Sequence, residues 1–285
     1  MKIEVYNVCN PNAKVKVNPI ECVKQAFVET DVILKILGHI RPEIKTEYIS
    51  SLKKRLVEAI KNSHIDSALF DFNEMGKELE VLNEYSELQE MILQLVCKYL
   101  ALPEDYRPGL EKIEVLSLNN VKAEARPSYY RVKALTDVLG KDAGIQLWKE
   151  IVNRKLFEER TENEGAKSGG REVSAREVLE RAMKRWTENG LADFAAAIFD
   201  DHKVLFRFDR CLIAEALKDF NDSDVAYLAT CFVGEVGVNI GRTMRLRRTQ
   251  TLHHGDFCDE FYWDIEFYTD PDQPSLEFTR KMGRN

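Results

Sequence analysis

Apolar residues recur every three to four positions through most of the first 190 residues, and stretches with a period of two appear after that. This change of period separates a helical part from a part that contains strands. Residues 2 to 8 are compatible with a short strand. Asn18-Pro19-Ile20-Glu21 then reads as a cap, a proline at the first helical position and an early acid, so a helix is expected to about Gly38. Tyr48, Leu52, Leu56 and Ile60 form the stripe of a second helix, and a third periodic stretch runs from Ser67 to Leu100 before Pro103 stops it. Residues 1 to 120 read as a helical N-terminal region. Arg126-Pro127 predicts a helix start near Ser128, Gly140 a left-handed cap, and 142 to 160 a second arm of a helical hairpin. The Gly- and charge-rich stretch near 161 to 173 is expected to be a mobile loop, followed by a capping box at Ser174 to Glu177 and a helix carrying Leu179, Met183 and Trp186.

Two hairpins follow. Phe194 to Phe199 and Val204 to Phe208 flank Asp200-Asp201-His202, while Met244 to Leu252 and Phe257 to Tyr268 flank His253-His254-Gly255-Asp256. Between them, Leu212 to Phe220 and the stretch after Asp222-Ser223 read as short helices. The expected fold class is α+β: residues 1 to 120 helical, residues 121 to 285 a small antiparallel sheet of two β-hairpins packed against helices.

Composition narrows the setting. The chain has 285 residues, 44% of them hydrophobic and 31% charged, enough to bury a core and too apolar for disorder. It contains no run of roughly 18 to 20 uncharged apolar residues and its opening residues lack the apolar core of a secretory signal, so a cytoplasmic protein without a membrane segment is expected. Six cysteines without a C-x-x-C spacing read as free thiols. A net charge of -7 opposes binding to a phosphate backbone, and the arginines at 242, 245, 247 and 248 lack interleaved aromatic residues, so nucleic acid is not an expected partner. The apolar stripes of the N-terminal helices are core or the interface of a homo-oligomer.

Chemistry concentrates in the last third. Alternation puts Arg248 on the more apolar face of its strand and makes Asp259 the one acid on the face shared by Phe257, Phe261 and Trp263, which suggests an Arg248–Asp259 ion pair or a ligand pocket. Cys211 stands where a strand hands over to a helix, a place that lowers a thiol pKa. Cys231 and Glu235, four apart, share a helical face. Cys258 opens the last strand; for each thiol a plain core role competes with a reactive one. His253 and His254 sit in a turn from which one imidazole can face a site.

The block Arg247-Arg248-Thr249-Gln250-Thr251-Leu252-His253-His254-Gly255-Asp256-Phe257-Cys258-Asp259-Glu260-Phe261 resembles the C-terminal signature of the L-2-amino-thiazoline-4-carboxylic acid hydrolase family. Upstream, Phe208-Asp209-Arg210-Cys211 and Ala229-Thr230-Cys231 resemble that family's two earlier cysteine positions, so the similarity covers roughly 128 to 268. It implies a hydrolase that opens a small cyclic amidine to N-carbamoyl-cysteine. On that resemblance His254 would activate water, Cys258 or Cys211 would be nucleophile, Arg248 would hold the substrate carboxylate and Asp259 would orient the base or the arginine, with Thr251, Glu235 and Cys231 beside the substrate. No cofactor is implied with certainty, and Cys211, Cys231, Cys258 and His254 could together take a divalent metal such as zinc. The same block also resembles small-molecule-binding domains of the vinyl-reductase type, which implies the alternative of a non-enzymatic ligand sensor.

Overall fold

The computed structural model describes all residues except 62, 64, 104, 110, 167–174 and 285, and the backbone alone at 159, 161–166, 175 and 178. In chain order the elements are β1 (Lys2–Asn7), β2 (Lys14–Val17), α1 (Pro19–Ile40), α2 (Lys45–Ala59), α3 (Phe72–Met75), α4 (Ser86–Leu100), β3 (Ile113–Leu116), α5 (Ser117–Leu139) and α6 (Lys141–Ala166). Then come α7 (Ala175–Glu188), β4 (Ala192–Asp200), β5 (Lys203–Cys211), α8 (Leu212–Leu217), α9 (Ser223–Ala229), α10 (Cys231–Asn239), β6 (Met244–Arg247), β7 (Cys258–Asp264) and α11 (Leu276–Lys281). The fold is α+β, as the change of period predicts. Two compact units are present: one comprises residues 14–155 and 228–230, the other 1–13, 156–227 and 231–285.

In the helical unit, the side chain of Asn18 caps α1 by accepting from the Ile20 N–H. Its core is built from Phe27, Leu34 and Leu37 of α1, Tyr48, Leu52 and Leu56 of α2, and Leu88 of α4, all fully or almost fully buried. Here the structure departs from the sequence reading in three ways. The helix expected from Ser128 begins at Ser117 and carries Pro127 inside it. A proline there removes one N–H and costs about 3 kcal/mol in an isolated helix, but α5 packs on α2 and α4 along its length, and that burial outweighs the local loss. The periodic stretch from 67 to 100 is broken into turns and α3 before α4, with Asp71 capping α3 through the Glu74 N–H. Nor are residues 1 to 120 purely helical: β2 and β3 pair antiparallel as a two-stranded sheet.

The other unit is organised by one antiparallel sheet in the order β1-β4-β5-β7-β6. The two expected hairpins are therefore joined through β5–β7, and β1 extends the sheet along β4. One face carries Phe194, Phe206, Phe208, Leu246 and Tyr262 under Leu179, Met183 and Trp186 of α7. The Trp186 ring meets Phe194, Phe206 and Phe208 edge-on at 5.4, 5.2 and 4.9 Å between centroids. The opposite face carries Ala195, Leu205, Phe261 and Trp263 and is covered by Phe278 and Met282 of the C-terminal segment. Covering both faces explains why every residue of β7 is buried. Of the loop expected at 161 to 173, residues 161–166 continue α6, and the rest, with the cap at Ser174, lies outside the described residues. Among the described residues no helix is long and apolar enough to cross a membrane.

Candidate functional site

Asn239, the last residue of α10, binds both backbone groups of Leu246 through its side-chain amide, donating to the carbonyl at 3.0 Å and accepting from the N–H at 2.8 Å. This fixes β6 beside α10. The register of β6 on β7 pairs Arg247 with Phe261, so the next step sets Arg248 opposite Glu260 and Thr249 opposite Asp259. The expected Arg248–Asp259 pair is accordingly not formed, because the two side chains leave opposite faces of the sheet.

Arg248 instead donates to Glu260 from Nη2 and from Nε, the latter at 3.2 Å, and from Nη1 to the Cys231 carbonyl at 2.7 Å and to Glu235 at 3.3 Å. Its side chain is 9% exposed, that of Glu260 11% and that of Glu235 26%. The hydroxyl of Tyr262 donates to Glu260 at 2.7 Å and that of Tyr227 to Glu235 at 3.1 Å. Burial, the largest single effect, would lower the Arg248 guanidinium; the acidic groups around it, Glu260 foremost, together outweigh burial and hold the group well above its ordinary range. Four of the five N–H donors of Arg248 thus have an acceptor within the protein, which leaves a single Nη2 N–H for its expected role as carboxylate clamp.

The thiols interact electrostatically with this network: Cys258 with Glu260, Cys231 and Arg248, and Cys211 with Cys231 and Glu260. Their chemistry differs from the expectation. Cys211 stands at the start of α8, where the Ala214 and Ile213 N–H groups favour its thiolate, but burial is the larger effect and pushes the thiol up to about 12. Burial and Glu260 push Cys258 well above the ordinary thiol range. Both are therefore protonated at neutral pH.

Asp259 is fully buried on the far face. It accepts from the Thr249 N–H at 2.9 Å, the Gln250 N–H at 2.8 Å, the Thr249 hydroxyl and Gln273 Nε2 at 2.7 Å. Neither Arg248 nor His254 is among its partners. The acid that meets His254 is Asp224, at 3.0 Å from Nε2, while Nδ1 faces the Thr251 hydroxyl at 3.3 Å. His254 is exposed, its side chain 41% accessible, and its ring edge packs against Tyr227. Among the described residues no group of three or more His, Cys, Asp or Glu side chains is arranged to hold a metal ion. The set Cys211, Cys231, Cys258 and His254 is not such a group, since His254 turns outward to Asp224.

His253 takes the place expected of its neighbour. It lines a pocket of about 660 Å³ together with Cys211, Arg210, Lys218, Asp222 and Ser223, a volume that suits a small ligand. Burial, with a smaller contribution from His254, lowers its imidazole to about 4, so it is neutral at pH 7. Thr251, itself buried, holds the turn by accepting the His254 and Gly255 N–H groups on its carbonyl, at 3.0 and 2.9 Å. Of the expected site residues, Cys211, Cys231, Cys258, Arg248 and Glu235 come together, Thr251 and His254 form the adjoining turn, and Asp259 faces away. Sequence reasoning missed Glu260, Asp224 and the cations Arg210 and Lys218; Glu260 becomes the partner of Arg248 only through a strand register that the turn at 253–256 does not specify.

The family model of L-2-amino-thiazoline-4-carboxylic acid hydrolase matches residues 120–263, half of the chain, and spans all of these groups. Comparison with curated proteins and with solved structures finds no match. On the family match, the chain belongs to the L-2-amino-thiazoline-4-carboxylic acid hydrolase family.

Proposed function

We propose that the protein is a hydrolase that opens a small carboxylated cyclic amidine of the 2-amino-thiazoline type in the pocket between Cys211 and His253. The observation that carries the reading is that His253 and Cys211 line one pocket inside the segment matched by the family. His253, kept neutral by burial, accepts a proton as water adds to the ring carbon between nitrogen and sulfur. The resulting imidazolium returns that proton to the sulfur as the carbon–sulfur bond breaks, while the second proton of the water passes from the hydroxyl of the tetrahedral carbon to the ring nitrogen as the carbonyl forms, which leaves N-carbamoyl-cysteine with a free thiol. Protonated Cys211 serves as a hydrogen-bond donor rather than as a nucleophile, because its thiolate is scarce at neutral pH. Lys218 and Arg210, which line the pocket and of which Arg210 also holds Glu215 at 2.9 Å from Nε, receive the substrate carboxylate in place of Arg248. The Arg248–Glu260–Glu235 network keeps its buried charges paired.

The test is thiol release from L-2-amino-thiazoline-4-carboxylate, followed with a chromogenic disulfide. Wild-type protein is expected to turn over, His253→Gln to lose at least about a hundredfold in kcat, the lower end for a general base, and Cys211→Ala to lose less. Saturable binding of the ring by wild type without any thiol release would discard the hydrolase reading in favour of a ligand-binding module.

A further inference from the structure

The segment that brings His253 to the pocket has little sheet pairing of its own. β6 ends at Arg247 and β7 starts at Cys258, so residues 248–257 lie outside the strand ladder and depend on side-chain anchors for their position. Several anchors come from the C-terminal segment, which lies beyond the family-matched residues. Gln273 Nε2 donates at 2.7 Å to Asp259, the same buried carboxylate that accepts the Thr249 and Gln250 N–H groups at the start of the segment. Just before it, Arg247 reaches Asp270 and the Pro271 carbonyl, the latter at 3.3 Å. At its other end Arg280 stands 3.6 Å from Asp256 and lies over the Phe257 ring at 5.6 Å. The C-terminal segment is itself tied down. Buried Arg207 donates to the carbonyls of Thr279, at 3.4 Å, Arg280, at 3.1 Å, and Met282, and Met282 is buried against the sheet.

We infer that residues 270–282 form a strap that fixes segment 248–257 from both ends, with Gln273 and Arg280 as positioning residues that set His253 into the pocket wall. The inference rests on the reading of His253 as the base, but its first readout does not need turnover. Histidine side-chain NMR, with the His253 signal assigned by loss in His253→Gln, follows the titration of that one imidazole. In wild type its midpoint is expected near the burial-lowered value of about 4. In Gln273→Leu, which cannot donate to Asp259, and in Arg280→Ala the midpoint is expected to rise by one pH unit or more toward the ordinary 6.5. Glu277→Ala, which removes only the exposed pair with Lys281, is expected to leave it in place. Arg280 is exposed, so its variant keeps the test open if Gln273→Leu fails to fold. An unchanged His253 midpoint in the two positioning variants would overturn the strap. If the midpoints rise and kcat falls about tenfold at similar KM, strap and base assignment both stand. If the midpoints rise and wild type never opens the ring, the strap stands and the hydrolase reading fails.

Discussion

Cys211 occupies a helix start, where backbone N–H groups draw a thiol toward ionisation, and yet ends up among the least acidic groups of the site because burial is the larger effect. Its alkylation by iodoacetamide, mapped by mass spectrometry, should therefore rise about tenfold per pH unit from pH 7 to 10, as for any thiol far below its pKa; a plateau below pH 9 would refute the assignment. The same burial governs Arg248. Replacing it by leucine leaves Glu260, 11% exposed, without its cation and should cost about 3 kcal/mol or more in urea unfolding, whereas Glu235→Gln, at the wetter end of the network, should cost under about 1 kcal/mol. The residue types of the site were legible in the sequence, and the grouping of Cys231 with Glu235 followed from helical spacing. The partner of Arg248 was not. It depends on strand register, and the four-residue stretch His253 to Asp256 does not specify one as a two-residue turn would.

Among the elements, the amphipathic helices and the β4–β5 hairpin follow from their periods. The short β2 and β3 were overlooked although Lys14-Val15-Lys16-Val17 alternates visibly, because four residues flanked by helical signals carry little weight. Pro127 signals a boundary by local sterics alone, and the packing of α5 on α2 and α4 overrides that signal. Close packing of α5 on α6 gives an element-level prediction. A Cβ at Gly144 would stand 2.7 Å from the Thr136 Cα and 2.8 Å from its N, backbone atoms that cannot swing aside. Gly144→Ala should thus lower the melting temperature despite a gain of about 1 kcal/mol in helix propensity. A rise in melting temperature would show that the two helices can part at no cost. On the sheet, Trp186→Ala removes the ring that three phenylalanines pack against and should cost about 3 kcal/mol or more in urea unfolding.

For the molecule as a whole, the shifted groups define a window of greatest stability. Burial raises Cys9 and Cys22 to about 11 and Cys97 and Cys211 to about 12, against 9.0 in an unfolded chain. Above pH 9 the unfolded state loses these protons first, so stability falls as pH climbs toward 12 and owes nothing to the thiols below 9. His253 acts in the opposite sense: between pH 6.5 and about 4 the unfolded chain takes up a proton that the folded one refuses, and stability falls on acidification. The urea midpoint should accordingly be flat from about pH 6.5 to 9 and decline on both sides, and a midpoint that climbs steadily through pH 10 would contradict the burial of the thiols. The α+β class and the location of the chemistry in the last third were legible from one change of period and one motif. How the C-terminal segment closes the second sheet face was not, since nothing in the sequence pattern points from Arg207 or Asp259 to partners in residues 270–282.

The central claim is that water opens a cyclic amidine at the Cys211–His253 pocket, and the most direct measurement is turnover of L-2-amino-thiazoline-4-carboxylate in ¹⁸O-labelled water with mass analysis of the product. The account predicts one labelled oxygen in the carbamoyl group and one new thiol for each ring opened, both abolished in His253→Gln. A ring recovered unlabelled and unopened after saturating the protein would contradict it.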